Sequence, residues 1–263
     1  MYMNKKVVVF DLDETLGFFT QFGIFCEGLN DYFQNNNFFY EHFNFLLDLY
    51  PEFLRPSILT ILNYIVKKKQ NGECYKIMIY TNNQGGKKWL HYLKKYFEYK
   101  LNHSIFDKII GAFKIQGQKI ELNRTSHNKT FEDFLNCTKL PDNIELCFID
   151  DVFHEKMIDE KVFYINVKPY VHNIDMNILN KRFLNSTIGK KVKEKEEFTN
   201  KINEFFKLSK YTMRPKTKKE QEIDNVVTKK MFQHIKQFFY ENSKKSLRKK
   251  KKKRKQTLKI REK

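Results

Sequence analysis

Two aspartates directly follow the first apolar run of the sequence, in the motif Asp-Leu-Asp-Glu-Thr at residues 11–15. Residues two apart in an extended chain point to the same face, so Asp11 and Asp13 are predicted to present their carboxylates together. One carboxylate can attack phosphorus or bind a divalent cation, and the other can donate or accept the proton that the reaction moves. The motif alone does not distinguish this chemistry from a solvated acidic turn.

Polar side chains also follow two later apolar runs. Thr81 and Asn82 come after residues 75–80, and the pair Asp150-Asp151 comes after residues 145–149. Both runs are typical of buried strands in a parallel sheet. Because ligands of α/β sheets bind beyond the carboxyl ends of the strands, these residues are predicted to lie at the same sheet edge as the acidic motif.

Strand patterns alternate with helix patterns along the first two thirds of the chain. This order predicts an α/β fold of the Rossmann-like three-layer kind, with a central, mostly parallel sheet and right-handed crossovers. The predicted strands are residues 6–10, 75–80, 145–149 and 162–165, with a fifth within 106–113. The predicted helices are residues 56–69, a segment containing Trp89, Leu93 and Phe97, and a segment capped by Asn128.

The composition excludes several classes of protein. The chain has 263 residues, of which 41% are hydrophobic and 16% aromatic, so disorder throughout is excluded. Its four cysteines form no zinc-ligand spacing and no CxxC pair, which argues against a zinc finger or a disulfide scaffold. No apolar stretch has the length of a membrane span or signal peptide, so we expect a soluble, intracellular protein without a membrane partner.

The net charge of +19 is concentrated at one end of the chain. Residues 1–188 carry 23 basic and 22 acidic side chains, residues 189–243 carry 14 and 8, and residues 244–263 carry 13 and 1. We therefore predict a nearly neutral folded domain over 1–188, with residues 17–50 as a small insertion after the first strand. A basic helical extension over 189–243 and a disordered polybasic tail over 244–263 would follow it.

The acidic motif and the strand-end residues resemble the haloacid dehalogenase superfamily. Within it they are most similar to RNA polymerase II C-terminal-domain phosphatases and their NLI-interacting-factor-like relatives, which share the Asp-Leu-Asp-Glu-Thr-Leu sequence of residues 11–16. The resemblance covers residues 5–169 and implies a haloacid dehalogenase-like fold. Leu54-Arg55-Pro56 matches an Arg-Pro pair of these phosphatases.

The resemblance implies a role for each matched residue. Asp11 would be the nucleophile and Asp13 the general acid/base, with Thr15 orienting Asp13. Mg²⁺ would be the cofactor. The remaining implied roles are phosphate binding by Thr81, Asn82 and Lys129, metal binding by Asp11, Asp150 and the backbone carbonyl of Asp13, and support from Thr15 and Asp151.

These roles predict a Mg²⁺-dependent phosphomonoesterase, with a phosphoserine or phosphothreonine protein as the expected substrate. A phosphatase of nucleic-acid ends is the nearest alternative, because the same chemistry serves both substrates. A non-catalytic, basic nucleic-acid-binding protein on a phosphatase scaffold is the alternative from another class. Retention of both Asp11 and Asp13 argues against it.

The polybasic tail has three interpretations. It contains an uninterrupted run of eight basic residues at 248–255. Such a run can be a nuclear import signal, a tether to nucleic acid phosphates, or a solubilising tail. The sequence therefore allows a nuclear or a cytoplasmic location, and any nucleic acid bound through residues 244–263 should be bound without regard to sequence.

Overall fold

A five-stranded parallel sheet forms the centre of the protein. The structure, a computed structural model, describes residues 4–261, with side chains described through Tyr240. The strands of the central sheet lie in the order β3-β2-β1-β6-β7, and β4 and β5 form a separate antiparallel hairpin that the sequence did not predict. Their bounds are β1 Lys5–Phe10, β2 Lys76–Tyr80, β3 Lys108–Ile110, β4 Lys114–Ile115, β5 Gln118–Lys119, β6 Ile144–Asp150 and β7 Val162–Asn166.

Alternation along the strands divides the core into two apolar layers. Val8 and Phe10 of β1 pack into a large cluster on one face of the sheet, whereas Val7 and Val9 pack into a smaller cluster on the other. All four side chains are fully buried, which explains why the run is apolar at every position. The predicted α/β architecture, with its central parallel sheet flanked by helices, is confirmed.

Nine helices accompany the strands within residues 4–261. Three of them lie in the predicted insertion between β1 and β2. The helix expected to begin at Asn128 begins instead at Phe131, because Thr130 is extended and its hydroxyl accepts the Asp133 N–H at 2.9 Å. The helices are α1 Thr20–Phe33, α2 Phe38–Glu41, α3 Phe43–Leu49, α4 Ile58–Gln70, α5 Gly86–Leu101, α6 Phe131–Thr138, α7 Met176–Leu184, α8 Lys195–Leu208 and α9 Lys218–Arg261.

The basic extension packs into the large apolar cluster. Phe198 and Ile202 of α8 are fully buried there, and α8 packs along α1. Phe238 of α9 meets Phe163 of β7 with ring centroids 5.8 Å apart. The ammonium of Lys6 on β1 donates to the carbonyls of Phe238 and Phe239 at 2.6 and 2.9 Å. Residues 189–240 therefore share one core with the sheet.

Helix α9 also includes residues 244–261, which the sequence predicts to be disordered. The difference has a physical reason. Helix nucleation is the unfavourable step, and the packed turns of α9 already provide the nucleus. Each further residue then only has to extend the helix, which Lys, Arg and Leu favour. Residues 262–263 of the predicted tail lie outside the described part of the chain. Among residues 4–261, no helix is both long enough and apolar enough to cross a bilayer.

Candidate active site

Three neighbouring strands bring the predicted site residues to one edge of the sheet. Strand β1 lies between β2 and β6, and Phe10 is in register with both Ile79 and Ile149. The residues that follow Phe10, Ile79 and Ile149, namely Asp11, Tyr80 and Asp150, therefore lie level with one another. Asp11 donates its backbone N–H to the Ile149 carbonyl at 2.8 Å, and Asp150 ends β6 at the same level.

The ammonium of Lys129 connects two of these carboxylates. It lies 2.5 Å from Oδ1 of Asp11 and 2.6 Å from Oδ2 of Asp150. All three side chains are buried, with the Lys129 side chain only 2% exposed. A buried ammonium is tolerated here because both carboxylates compensate its desolvation. Lys129, for which the resemblance implies phosphate binding, therefore contacts both the implied nucleophile and an implied metal ligand.

The burial of this cluster shifts the proton affinities of its members. Burial raises the pKa of Asp11, Lys129 opposes the rise, and the negative charge of Asp150 adds to it. Burial alone would raise the pKa of Asp150, but hydrogen bonding to His154 and the charge of Lys129 outweigh it, so that pKa is lowered. Burial would lower the pKa of Lys129, yet the two carboxylates raise it, so the ammonium stays charged.

Asp13 is held by Asn83, a residue for which no role was predicted. The side-chain amide of Asn83 donates to Oδ2 of Asp13 at 2.7 Å. Burial raises the pKa of the half-buried Asp13 carboxyl, and the hydrogen bond from Asn83 partly opposes the rise. A carboxyl with a raised pKa keeps its proton to higher pH, which favours a general acid.

Thr15 contacts a different aspartate from the one expected. Its hydroxyl donates to Oδ1 of Asp151 at 3.0 Å and accepts the Asp151 backbone N–H at 3.1 Å. The expectation that Thr15 orients Asp13 is therefore wrong, because the hydroxyl is engaged by the loop after β6 and Asn83 holds Asp13 instead. Thr15 ties the acidic motif to the second acidic pair, and the supporting role of Thr15 in the reaction stays a prediction.

The residues after β2 divide between the site and its supporting loop. Thr81 is 1% exposed, and its hydroxyl accepts the backbone N–H of Asn83 at 3.0 Å. The amide of Asn82 donates to the His127 carbonyl at 2.9 Å, two residues before Lys129. Asn82 thus anchors the Lys129 loop, and its contact with a phosphate stays a prediction, as does that of Thr81.

Two buried arginines hold the loops that carry the site. Arg55 donates to the carbonyls of Thr15, Glu14 and Lys168 at 2.6, 2.5 and 2.9 Å. Arg124, which is 0% exposed, donates to the carbonyls of Thr81, Gly111 and His127 at 3.2, 2.7 and 3.0 Å. The guanidinium groups thereby fix the backbone just after Asp13 and just before Lys129.

Sequence reasoning gave Arg55 no function and missed Arg124. One signal was available, because the chain uses Lys 43 times and Arg only seven times. An arginine in such a lysine-rich chain indicates a position that needs the planar five-donor group rather than a point charge. Both arginines bind three carbonyls each, as that argument requires.

No protein-family model, curated protein or solved structure matches the chain. The chemistry of the site therefore has to be argued from its own side chains. These comprise a buried nucleophile candidate, a nearby carboxyl with a raised pKa, and a fixed ammonium between two carboxylates.

The carboxylates also form a possible metal site. One oxygen from each of Asp11, Asp150 and Asp151 lies within 4.8 Å of the other two. Mg²⁺ prefers hard oxygen ligands such as carboxylates, so these three aspartates fit that ion. Asp151, for which only a supporting role was predicted, belongs to this group of carboxylates. Metal binding by the backbone carbonyl of Asp13 stays a prediction.

Proposed function

We propose that the chain is a Mg²⁺-dependent phosphomonoesterase of haloacid dehalogenase type that acts on phosphoserine or phosphothreonine in proteins. The observation that carries this proposal is the contact of Lys129 with Asp11 and Asp150. A phosphate monoester is a dianion, and a carboxylate can approach its phosphorus only where positive charge offsets the repulsion. Lys129 supplies that charge beside the candidate nucleophile.

The proposed reaction has two displacements. In the first, an oxygen of Asp11 attacks phosphorus, the bond from phosphorus to the alcohol oxygen breaks, and Asp13 gives its proton to that oxygen. In the second, Asp13 takes a proton from a water molecule that attacks the aspartyl-phosphate. The bond from phosphorus to Asp11 then breaks, which releases inorganic phosphate and restores both aspartates.

The remaining residues bind and orient the substrate in this scheme. Asp11, Asp150 and Asp151 would hold Mg²⁺, which supplies further positive charge to the phosphoryl oxygens when bound. The Thr81 hydroxyl and the Lys129 ammonium would donate to the same oxygens. Asn83 keeps the Asp13 carboxyl directed, and Arg55 fixes the two backbone carbonyls that follow Asp13.

Phosphate release is the direct test of this proposal. Phosphoserine peptides and oligonucleotides with a 3′- or 5′-phosphate should be compared with and without Mg²⁺. Asp11→Asn should abolish turnover without loss of the fold, because the amide keeps the shape and loses the nucleophile. Asp31→Asn at an exposed position of α1 is the matched control and should retain full activity. Turnover by Asp11→Asn would overturn the mechanism.

The same assay separates the second candidate function. The charge of +12 over residues 244–263, from 13 basic and one acidic side chain, favours a substrate that is itself a nucleic acid end. Faster release from the oligonucleotides than from the peptides would select that function, and with it a nuclear location becomes the stronger proposal. No release from any substrate would select the non-catalytic, nucleic-acid-binding role.

A further inference from the structure

A cavity of about 240 Å³ opens beside Asp13. Its walls come from the start of the insertion and from the segment that follows β2. Asn83 lines the cavity and also holds the Asp13 carboxyl at 2.7 Å, so the cavity begins at the proton donor of the proposed reaction. The residues of the wall that matter below are Gly23 and Glu27 of α1, Tyr40 of α2, and Trp89 of α5.

The position of the cavity defines what it can receive. In the proposed reaction, Asp13 protonates the oxygen that leaves with the alcohol, so the alcohol must extend from a point next to Asp13. The volume is below the range of about 300 to 1,000 Å³ that holds drug-sized ligands. It suits one amino-acid side chain or one small alcohol.

The walls combine aromatic rings with one carboxylate. Trp89 is 7% exposed and is fixed by Phe22 and Phe43, whose ring centroids lie 5.9 and 5.6 Å from its own. Tyr40 of the insertion also lines the cavity, and Glu27 brings a negative charge to it. Aromatic faces together with a carboxylate are the surroundings that bind organic cations.

The charges near the carboxylate leave this preference intact. Burial raises the pKa of Glu27, and its hydrogen bond with Asn30 opposes the rise. The ammonium of Lys88 donates to Oδ1 of Asn37 at 2.7 Å and lies 3.8 Å from the Tyr40 ring centre, so it already covers one face of Tyr40 and leaves Trp89 and Glu27 to a ligand cation. A cation in the cavity would therefore compensate a partly desolvated carboxylate.

We propose that this cavity is a leaving-group pocket that selects phosphate monoesters whose alcohol side carries a positive charge, with Glu27 as the specificity residue. The inference rests on the proposed phosphatase function. Two sources share this chemistry, namely a small amino-alcohol phosphate and a phosphoserine peptide with a lysine or arginine next to the phosphoserine.

Gly23 offers a way to fill the pocket without damage to the fold. A Cβ atom built at Gly23 would lie 3.7 Å from the Trp89 ring, which is ordinary van der Waals contact. Gly23→Ala therefore narrows the pocket, and alanine also favours the helix that glycine weakens. A loss of activity in this variant cannot then be attributed to unfolding. At Gly85, by contrast, a Cβ atom would lie 2.7 Å from Trp89 and displace it.

Binding can be measured apart from catalysis, because Trp89 is the single tryptophan of the chain. Ethanolamine or choline added to the full-length protein should change its tryptophan fluorescence in a saturable manner, and propanol should not. Glu27→Gln should weaken the binding about fivefold or more, as expected for loss of a partly exposed charge contact. Glu41→Gln, an exposed carboxylate of α2 outside the pocket, is the matched control.

Kinetics then distinguish the two sources of substrate. The ratio kcat/KM should be compared for phosphoethanolamine, ethyl phosphate, and phosphoserine peptides with lysine or glutamine beside the phosphoserine. Each substrate with a positive charge has a neutral counterpart, which is ethyl phosphate for phosphoethanolamine and the glutamine peptide for the lysine peptide. In whichever pair is preferred, Glu27→Gln should lower kcat/KM about fivefold for the charged substrate and less than twofold for the neutral one. Gly23→Ala should lower kcat/KM for these substrates more than for methyl phosphate, whose alcohol part is the smallest.

The outcomes separate this inference from the proposed function. Equal binding of ethanolamine and propanol, or unchanged fluorescence titrations in Glu27→Gln, would overturn the pocket even if p-nitrophenyl phosphate is hydrolysed. Saturable, Glu27-dependent binding without hydrolysis of any phosphate would support the pocket's preference for cations and overturn the phosphatase function.

Discussion

The ammonium of Lys129 lies 2.5 Å from the carboxylate of Asp11, although the two residues are 118 positions apart in the chain. The same ammonium contacts Asp150 at 2.6 Å, so one positive charge bridges two buried carboxylates and offsets their mutual repulsion. Removal of that charge should affect both the fold and the reaction.

We expect Lys129→Met to be destabilised in a pH-dependent manner. Without the ammonium, the folded-state pKa of Asp11, which burial already raises, should increase further, and that of Asp150 should rise. A carboxyl with a raised folded-state pKa costs stability as pH rises above its unfolded pKa of about 3.9. The loss should be about 3 kcal/mol or more at pH 8 and smaller at pH 5.

Urea unfolding of the wild type and the variant at both pH values measures this difference. Lys87→Met, at an exposed position of α5, is the control and should change little at either pH. An equal loss of stability for Lys129→Met at pH 5 and pH 8 would contradict the electrostatic explanation.

Asp13→Asn should slow alkyl phosphates more than aryl phosphates. An aryl leaving group departs without a proton, whereas an alkoxide requires one, so loss of the acid affects the alkyl ester most. Hydrolysis of the aspartyl-phosphate should also slow, because the attacking water loses its base. Burst kinetics with p-nitrophenyl phosphate would detect the accumulated intermediate, and equal losses on both ester types would remove Asp13 from this role.

Asp150→Asn should increase the Mg²⁺ concentration required for half-maximal activity about tenfold or more. The amide keeps the shape but is a weaker ligand for a hard cation than the carboxylate. Activity measured over a Mg²⁺ titration gives the shift. Glu155→Gln, an exposed carboxylate five positions away, serves as control, and an unchanged requirement in Asp150→Asn would exclude Asp150 from the metal site.

Truncation after Ser243 should separate localisation from chemistry. The shortened chain keeps Phe238 and Phe239, whose carbonyls accept from Lys6, so the core that supports β1 is retained. Turnover of p-nitrophenyl phosphate should therefore stay within about twofold of the full chain, while nucleic acid binding should be lost.

Binding titrations at several salt concentrations measure the second part of that expectation. The full chain should lose affinity steeply with salt, with about 0.9 in the log–log slope for each duplex phosphate neutralised, and should show little sequence preference. Comparable salt-dependent binding by the truncated chain would place the nucleic acid site within residues 1–243. Loss of p-nitrophenyl phosphate turnover would place the tail in the catalytic structure.

The order of apolar runs and helix patterns was enough to predict the central sheet and the edge at which the candidate site lies. Parallel strands place all their carboxyl ends at one edge of the sheet. Strand runs that end in Asp11, Thr81 and Asp150 therefore predict that these three residues lie together. The alternation of strands with helices predicted the parallel sheet on the same local grounds. The hairpin of β4 and β5 escaped prediction, since two residues per strand carry no measurable periodicity.

The contacts between side chains of the site, by contrast, could be read only from the folded chain. Asn83 holds Asp13 from 70 positions away, and Thr15 reaches Asp151 across 136 positions. The basic extension likewise packs against a core whose other members lie far earlier in the chain. Local spacing determines on which face of its own helix or strand a residue lies. Contacts between residues far apart in the sequence depend instead on how distant helices and strands pack, which is a property of the whole folded chain.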